Sequence, residues 1–138
     1  MIKFFVAGEP RSMSVGTTLR AGKRTFQGRR GTPWAVLVGH EGRQHAPDVP
    51  LEGPVSFTAV FYMPRPATAP KRVAWPLKRP DVDNLFHKIT DQWNGVFWRD
   101  DSQIVDVIVK KRFAEDGRSG VDIIVEPLAE IVPTGVAR

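Results

Sequence analysis

Residues 54–63 place apolar side chains at every second position, with mostly polar ones between them, which is the pattern of a strand with one buried face. The apolar face is formed by four side chains at every second position: Val55, Phe57, Ala59 and Phe61. The opposite face carries the four residues between and beside them: Ser56, Thr58, Val60 and Tyr62. The sequence therefore predicts a half-buried strand around which a sheet is built.

Other stretches predict the remaining elements of one domain. Three further segments have strand character, at 2–7, 103–113 and 120–126, and DGRSG at 116–120 predicts a hairpin that joins the last two. The chain has 138 residues, of which 41% are apolar, and this suits one globular core. We predict a single α+β domain over residues 1–127, with a mixed sheet of about four strands and two main helices, followed by a tail at 128–138 that has no pattern.

The two helices are predicted from their start and stop signals. Thr32 and Pro33 form an N-cap and N1 pair for a helix that fades at Gly42. Asp83 is the predicted N-cap of a second helix that runs to Trp93, and an Asn-Gly pair follows it as a stop. The second helix carries an apolar stripe of four residues, Leu85, Phe86, Ile89 and Trp93.

Several classes of protein are excluded by composition. The chain contains no cysteine, so disulfides, a thiolate zinc site and a cysteine nucleophile are all unavailable. No apolar run approaches the ~20 residues that span a bilayer, and the N-terminus lacks the features of a signal peptide. We therefore expect a cytoplasmic protein without a membrane partner.

The charge distribution predicts a polyanionic partner. The net charge is +5, but the first 80 residues hold 13 Lys and Arg against 4 Asp and Glu, whereas the remainder holds 7 against 11. Segment 11–30 has six basic residues and no acidic one: Arg11, Arg20, Lys23, Arg24, Arg29 and Arg30. Segment 64–80 has five prolines, five basic residues and no acidic one, and we assign DNA contacts to Lys71, Arg72, Lys78 and Arg79. Both segments are predicted to grip phosphates, and the alternative for each is a solvated loop.

Two acidic pairs flank the second helix. Asp81 and Asp83 precede it, and Asp100 and Asp101 follow it. Four carboxylates around one small unit repel one another unless a cation lies among them, and hard oxygen ligands suit Mg²⁺, with Mn²⁺ as the alternative ion. The alternative for each pair is a turn or helix cap. The sequence does not guarantee that the two pairs meet within one subunit.

Neighbouring residues have candidate auxiliary roles. Lys88 is placed to hold a phosphate or to pair with Asp91, and His87 is a candidate proton carrier. Lys110, together with the two basic residues after it, extends the phosphate track. Trp75 and Trp98 are candidates for stacking on bases, with core packing favoured for Trp98.

The run PDVDNL, a helix ending in NG, and WRDDSQIVDVIVKK together resemble the RusA family of Holliday junction resolvases. The resemblance is close over residues 79–112. It implies a small Mg²⁺-dependent endonuclease of DNA recombination and repair, acting as a homodimer that nicks a four-way junction symmetrically. Many relatives with this pattern come from phages and prophages.

By that resemblance, Asp81, Asp83 and Asp101 correspond to the catalytic, metal-binding carboxylates, with Asp100 as a neighbour. The family lysine falls six residues after the first motif aspartate, where this chain has His87, with Lys88 one place later. We predict that Lys88 takes the role, with His87 as the alternative. Two other functions stay open: a nuclease acting on other branched or flap nucleic acid, and a branched-DNA-binding protein without catalysis.

Overall fold

The computed structural model describes residues 1–11, 18–21, 24–27 and 33–129. It contains two helices, α1 and α2, and six strands, β1 to β6. In chain order these are β1 (Ile2–Ala7), β2 (Thr18–Ala21), β3 (Arg24–Gln27), α1 (Pro33–His45), β4 (Val55–Met63), α2 (Val82–Trp93), β5 (Ile104–Phe113) and β6 (Gly120–Pro127).

Four strands form one mixed sheet in the order β1-β6-β4-β5. β4 is parallel to β5 and antiparallel to β6, and β6 is also antiparallel to β1. The predicted single α+β domain, with about four strands in a mixed sheet and two main helices, is confirmed. The predicted boundary between domain and tail stays a prediction, because residues 130–138 lie outside the described part.

The predicted hairpin between β5 and β6 is wrong. The turn itself exists, since Gly117 has φ of 77° and the Arg118 N–H donates to Asp116 Oδ1 at 3.0 Å. The strands on either side of this turn are not neighbours, because β4 lies between them. Pairing with both β1 and β4 buries the apolar face of β6, which a two-stranded hairpin with β5 would not achieve.

The basic segment near the N-terminus contains structure that the sequence did not predict. β2 and β3 form a separate two-stranded antiparallel sheet, with Thr18 opposite Gln27 and Ala21 opposite Arg24. Strands of four residues are too short for alternation to separate them from a loop.

One face of the four-stranded sheet carries both helices. The predicted apolar face of β4 is buried, with Val55, Phe57, Ala59 and Phe61 fully shielded from solvent. Trp98 is also buried, as predicted, and its Nε1 donates to Asn94 Oδ1 at 2.7 Å. α1 contacts β1 and α2 contacts β5, so the two helices lie side by side across the sheet.

Two glycines allow the helices to approach closely. α1 continues through the predicted stop at Gly42 to His45. A Cβ built on Gly42 would overlap the Trp93 indole, and one built on Gly39 would overlap the Gln92 side chain. The indole Nε1 of Trp93 donates to the carbonyl of Val38 at 3.1 Å. A larger side chain at position 42 would therefore not fit, because α2 packs directly against this part of α1.

None of the helices in the described ranges is long and apolar enough to cross a membrane.

Candidate functional site

The first acidic pair lies at the N-terminus of α2. Asp81, and not Asp83, is the N-cap: its backbone is extended, and its carbonyl accepts the Leu85 N–H at 3.1 Å. The predicted N-cap was wrong by two residues, and Asp83 lies in the first helical turn. Both side chains are exposed, and the Asp81 carboxylate makes no capping hydrogen bond.

The carboxylates of Asp81 and Asp83 have no partners among the described residues. Neither forms a hydrogen bond or an ion pair with a residue in the part of the chain that the structure describes. The positive end of the helix macrodipole favours negative charge at both positions. The carboxylate oxygens of Asp81 and Asp83 are therefore exposed to solvent at the start of α2.

Lys111 fixes the backbone that leads into Asp81. Its Nζ donates to the carbonyls of Lys78 at 2.8 Å and Pro80 at 3.0 Å. The start of α2 is therefore tied to β5 near the C-terminal end of that strand. Lys111 was predicted to contact phosphate, whereas the structure shows that it anchors this loop. The alternation of β5, which turns Val109 and Lys111 towards the helices, was the available signal.

The second acidic pair precedes β5 in a 3₁₀ turn, Asp101–Gln103. Asp100 caps this turn: its Oδ2 accepts the Ser102 N–H at 3.1 Å, and Gln103 Oε1 accepts the Asp100 N–H at 3.0 Å. Hydrogen bonds from the Ser102 hydroxyl and backbone N–H lower the pKa of Asp100. The exposed Asp101 carboxylate has no such partner within the described residues. The Asp100 carboxylate is therefore used to cap the turn, whereas the Asp101 carboxylate makes no hydrogen bond within the described residues.

Gln103 holds this acidic turn against the beginning of β4. Its Nε2 donates to the carbonyls of Leu51 at 2.8 Å and Gly53 at 2.9 Å. Because β4 and β5 are parallel and both begin here, Asp101 lies at the N-terminal end of β5.

The two acidic pairs lie at opposite ends of β5. Asp81 is tied to the region of Lys111, and Asp101 comes just before Ile104. Seven residue steps at about 3.3 Å each separate Ile104 from Lys111, which is on the order of 20 Å. Within the described residues, no group of three or more His, Asp or Glu side chains is placed to hold a metal ion. One chain therefore does not bring Asp81, Asp83 and Asp101 together.

His87 and Lys88 point to different sides of α2. His87 follows Asp83 by four residues, so the two exposed side chains share one face of the helix. Lys88 is half-buried and shares its face with Gln92, which packs against Gly39 of α1. The imidazole, and not the ammonium group, therefore lies on the side of the helix that carries Asp83.

The proline-rich basic loop at 64–80 is held in place by Arg65. Its Nη1 donates to the carbonyls of Val73 at 2.9 Å and Pro70 at 3.2 Å, and its Nη2 pairs with Glu115 at 3.0 Å. The guanidinium also lies 4.2 Å above the Phe113 ring. The fixed loop exposes the four predicted DNA contacts Lys71, Arg72, Lys78 and Arg79.

Trp75 is the aromatic residue that this loop presents to solvent. Its side chain is 54% exposed, and the Arg112 guanidinium lies 5.6 Å above its ring. The neighbouring Leu77 is 86% exposed. An exposed indole beside basic residues is suited to stacking on nucleobases.

The other predicted DNA contacts are only partly described. Arg11 Nη2 lies 2.9 Å from Glu9 Oε2, so its charge is partly balanced. Lys110 is exposed on β5. Of the remaining five, Lys23, Arg29 and Arg30 lie outside the described residues, whereas Arg20 and Arg24 are described only as members of β2 and β3.

Comparison with known proteins identifies the family. The family model described as "Endodeoxyribonuclease RusA" matches residues 7–126, so the chain belongs to the RusA family of endodeoxyribonucleases. Membership implies an endonuclease that acts on Holliday junctions and binds branched DNA, in a family that generally depends on divalent metals. The chain is also 32% identical over 134 residues to a Bacillus subtilis (strain 168) protein named "Uncharacterized protein YqaN", with 88% of this chain and 94% of that protein covered.

Proposed function

We propose that this protein is a Mg²⁺-dependent endonuclease that resolves four-way DNA junctions by paired, symmetric nicks in DNA recombination and repair. Mn²⁺ is the alternative ion. The observation that carries the proposal is the set of three exposed carboxylates, Asp81, Asp83 and Asp101, which have no partner among the described residues in a chain of this family. We place the reaction in the cytoplasm of a bacterial or phage-infected cell.

The donor set fits a hard divalent cation. Exposed aspartate oxygens are the ligands that Mg²⁺ and Mn²⁺ prefer, and the open surroundings leave room for water ligands and a phosphate. When bound, the ion supplies an activated water and stabilises negative charge on the phosphodiester. Asp81 and Asp83 would hold it from the start of α2, and Asp101 from the start of β5.

The separation of the acidic pairs leads us to propose an active site made by two copies of the chain. A distance on the order of 20 Å along β5 is too large for one ion to bridge. In a homodimer, Asp81 and Asp83 of one protomer would meet Asp101 of the partner subunit, and two-fold symmetry would create two such sites. Two equivalent sites match the approximate two-fold symmetry of a four-way junction, so each would cut one of two opposed strands.

We assign the auxiliary role beside the carboxylates to His87. It shares the helix face of Asp83, and it occupies the position at which the family pattern has a lysine. The neutral imidazole accepts a proton and the protonated form contacts phosphate, so His87 can serve either step of hydrolysis. Lys88 is the alternative, and it would have to reach around the helix by ~100°.

The basic loop at 64–80 would hold the DNA backbone. Its lysines and arginines contact phosphates without reading sequence, while Trp75 stacks on bases exposed at the branch point. Because the loop runs directly into Asp81, phosphates bound there lie beside the metal ligands.

The proposal is tested by comparing four-way, flap and linear DNA of equal length as substrates, in Mg²⁺, Mn²⁺ or EDTA. We expect nicks at symmetric positions on two opposed strands of the four-way junction, and none in EDTA. Preferred cutting of the flap would support the other nuclease function. Salt-sensitive junction binding without cutting in either metal would contradict catalysis and support a DNA-binding protein.

A further inference from the structure

The segment that leads into Asp81 has little backbone support of its own. Residues 74–80 include Pro76 and Pro80, which have no N–H to donate. Within the described ranges, no backbone–backbone hydrogen bond involves any residue of 74–80. Hydrogen bonds of the main chain to itself therefore do not fix the backbone that precedes Asp81.

Lys111 supplies hydrogen bonds to this segment from the sheet. Its Nζ donates to the carbonyl of Lys78 at 2.8 Å and to the carbonyl of Pro80, the residue before Asp81, at 3.0 Å. The side chain projects from β5, which is paired with β4 along its length. Hydrogen bonds from an ammonium group are charge-assisted and stronger than those between neutral groups. Lys111 therefore ties the backbone on both sides of Arg79 to a paired strand.

The two halves of the basic loop are held by different cations. Arg65 donates to the carbonyls of Pro70 and Val73, which lie in the first half of the loop. Lys111 donates to the second half, which leads into α2. Loss of Arg65 should therefore loosen a segment away from the proposed metal ligands, whereas loss of Lys111 should loosen the backbone directly next to them.

We infer that Lys111 is a positioning residue of the proposed metal site: it holds the backbone so that Asp81 and Asp83 are in place before the ion binds. The inference rests on the proposed function, which places a divalent cation at these two carboxylates. In this role Lys111 contacts neither the ion nor the DNA. Replacement of a residue that orients metal ligands typically lowers metal affinity about 10–100-fold.

The sign of the effect separates this role from a purely electrostatic one. The Lys111 ammonium group contacts the residue before Asp81, so its positive charge repels a cation bound there. Lys111→Met removes that repulsion, and a charge effect alone would therefore tighten metal binding. Loss of the two hydrogen bonds acts in the opposite direction, because a loosened backbone must be ordered when the ion binds. We expect the second effect to be the larger.

Mn²⁺ binding to the full chain without DNA measures the effect. Free Mn²⁺ is read from its electron paramagnetic resonance signal, and the binding that disappears in Asp83→Asn is assigned to the site. We expect Lys111→Met to weaken this binding about 10-fold. Circular dichroism melts would show that the variants remain folded.

Two control variants replace other cations with methionine. Lys3→Met removes an exposed lysine of β1, at the opposite edge of the same sheet. Arg65→Met releases the first half of the basic loop. Both should bind Mn²⁺ within about 3-fold of the wild type, because screening weakens distant charges and neither cation is bonded to the backbone beside Asp81.

Chemical rescue shows whether the ammonium group itself is required. The chain contains no cysteine, so Lys111→Cys introduces a single thiol. Alkylation of this thiol by 2-bromoethylamine in urea displaces bromide and gives a side chain of the length of lysine that ends in an ammonium group. After refolding, the alkylated protein should bind Mn²⁺ within about 3-fold of the wild type, whereas unmodified Lys111→Cys should bind about 10-fold more weakly. Recovery of cation binding when a positive charge is added back is the opposite of a charge effect.

Three results would overturn the inference. Mn²⁺ binding by Lys111→Met that equals or exceeds that of the wild type would leave only the charge effect. Loss of junction affinity in EDTA with unchanged Mn²⁺ binding would make Lys111 a phosphate contact. An equal loss of Mn²⁺ binding in Arg65→Met would assign the effect to the loop as a whole.

The measurements also separate the inference from the proposed nuclease, because Mn²⁺ binding is measured without DNA. Mn²⁺ binding that depends on Lys111, in a protein that cuts no junction, supports the inference and contradicts the nuclease. Junction cutting by a wild type whose Mn²⁺ binding does not depend on Lys111 supports the nuclease and contradicts the inference. A wild type that cuts the junction but binds no Mn²⁺ without DNA also contradicts the inference, since its site is not formed in advance.

Discussion

Asp83→Asn is expected to lower Mg²⁺-dependent nicking of a four-way junction at least about 100-fold. Loss of a residue that only hydrogen-bonds to a metal ligand typically lowers activity about 10–100-fold, and loss of the ligand itself should lower it more. Junction affinity should stay at or slightly above that of the wild type, because one negative charge next to the phosphates is removed. The fold should tolerate the change. Asp83 is exposed, and its interaction with the helix macrodipole contributes only about 0.3–1 kcal/mol to stability.

The matched control for this variant is Asp91→Asn. Asp91 is exposed on the same helix, eight residues further on, and the substitution removes the same charge. Asp91→Asn should leave the nicking rate within about 3-fold of the wild type. Salt in solution screens the charge of Asp91, so its electrostatic effect at Asp83 is small. Equal nicking rates for the two variants, measured on both opposed strands, would contradict the metal-binding role of Asp83.

Trp93→Ala is expected to cost about 3–5 kcal/mol of the free energy of unfolding, which is a large share of the ~5–15 kcal/mol that domains possess. Trp93 is fully buried between α1 and β4: its ring lies against Phe57 at 6.2 Å and its Nε1 donates to Val38. Truncation leaves a cavity and removes the partner of a carbonyl. Urea denaturation followed by far-ultraviolet circular dichroism measures the loss.

Trp75→Ala is the matched control, since it makes the same substitution at a 54% exposed position. Its free energy of unfolding should change by less than about 1 kcal/mol, whereas its affinity for junction DNA should fall about 5-fold or more through the lost stacking. Equal destabilisation of the two variants would contradict the assignment of Trp93 to the core and Trp75 to the DNA surface.

The sequence predicted those helices and strands in which the spacing of apolar residues indicates which face is buried. The alternation of β4 was enough to identify the strand and its buried face, because only one face of β4 packs under the helices. The pairing of β6 was not predictable from DGRSG, since a turn signal describes a change of direction and not which strands become neighbours. In this fold β4 separates the two strands that the turn joins.

The residue types of the candidate site could be predicted from the sequence, but their positions relative to one another could not. The spacing of Asp81, Asp83 and Asp101 pointed to carboxylate ligands, but their positions in space depend on the parallel pairing of β4 with β5 and on the length of α2. That pairing places the two acidic pairs at opposite ends of β5. The four-residue spacing between Asp83 and His87 places both on the same side of α2. Lys88 is the less suitable candidate for the auxiliary role because it shares its side of the helix with Gln92, which packs against α1. That packing is visible only in the structure.

An active site shared between two protomers is tested most directly by combining two inactive variants. Asp81→Asn and Asp101→Asn would be co-expressed with different affinity tags, and the heterodimer purified through both tags and assayed on a four-way junction in Mg²⁺. In a shared site, one of the two sites of this heterodimer contains the intact Asp81 and Asp83 of one chain and the intact Asp101 of the other.

We expect each variant alone to be inactive, and we expect the heterodimer to have one working site where the wild-type dimer has two. It should nick one strand of a junction without the paired cut on the opposed strand. A heterodimer that is as inactive as its two parents, although it binds the junction, would place all three carboxylates of a site in one chain and contradict the account.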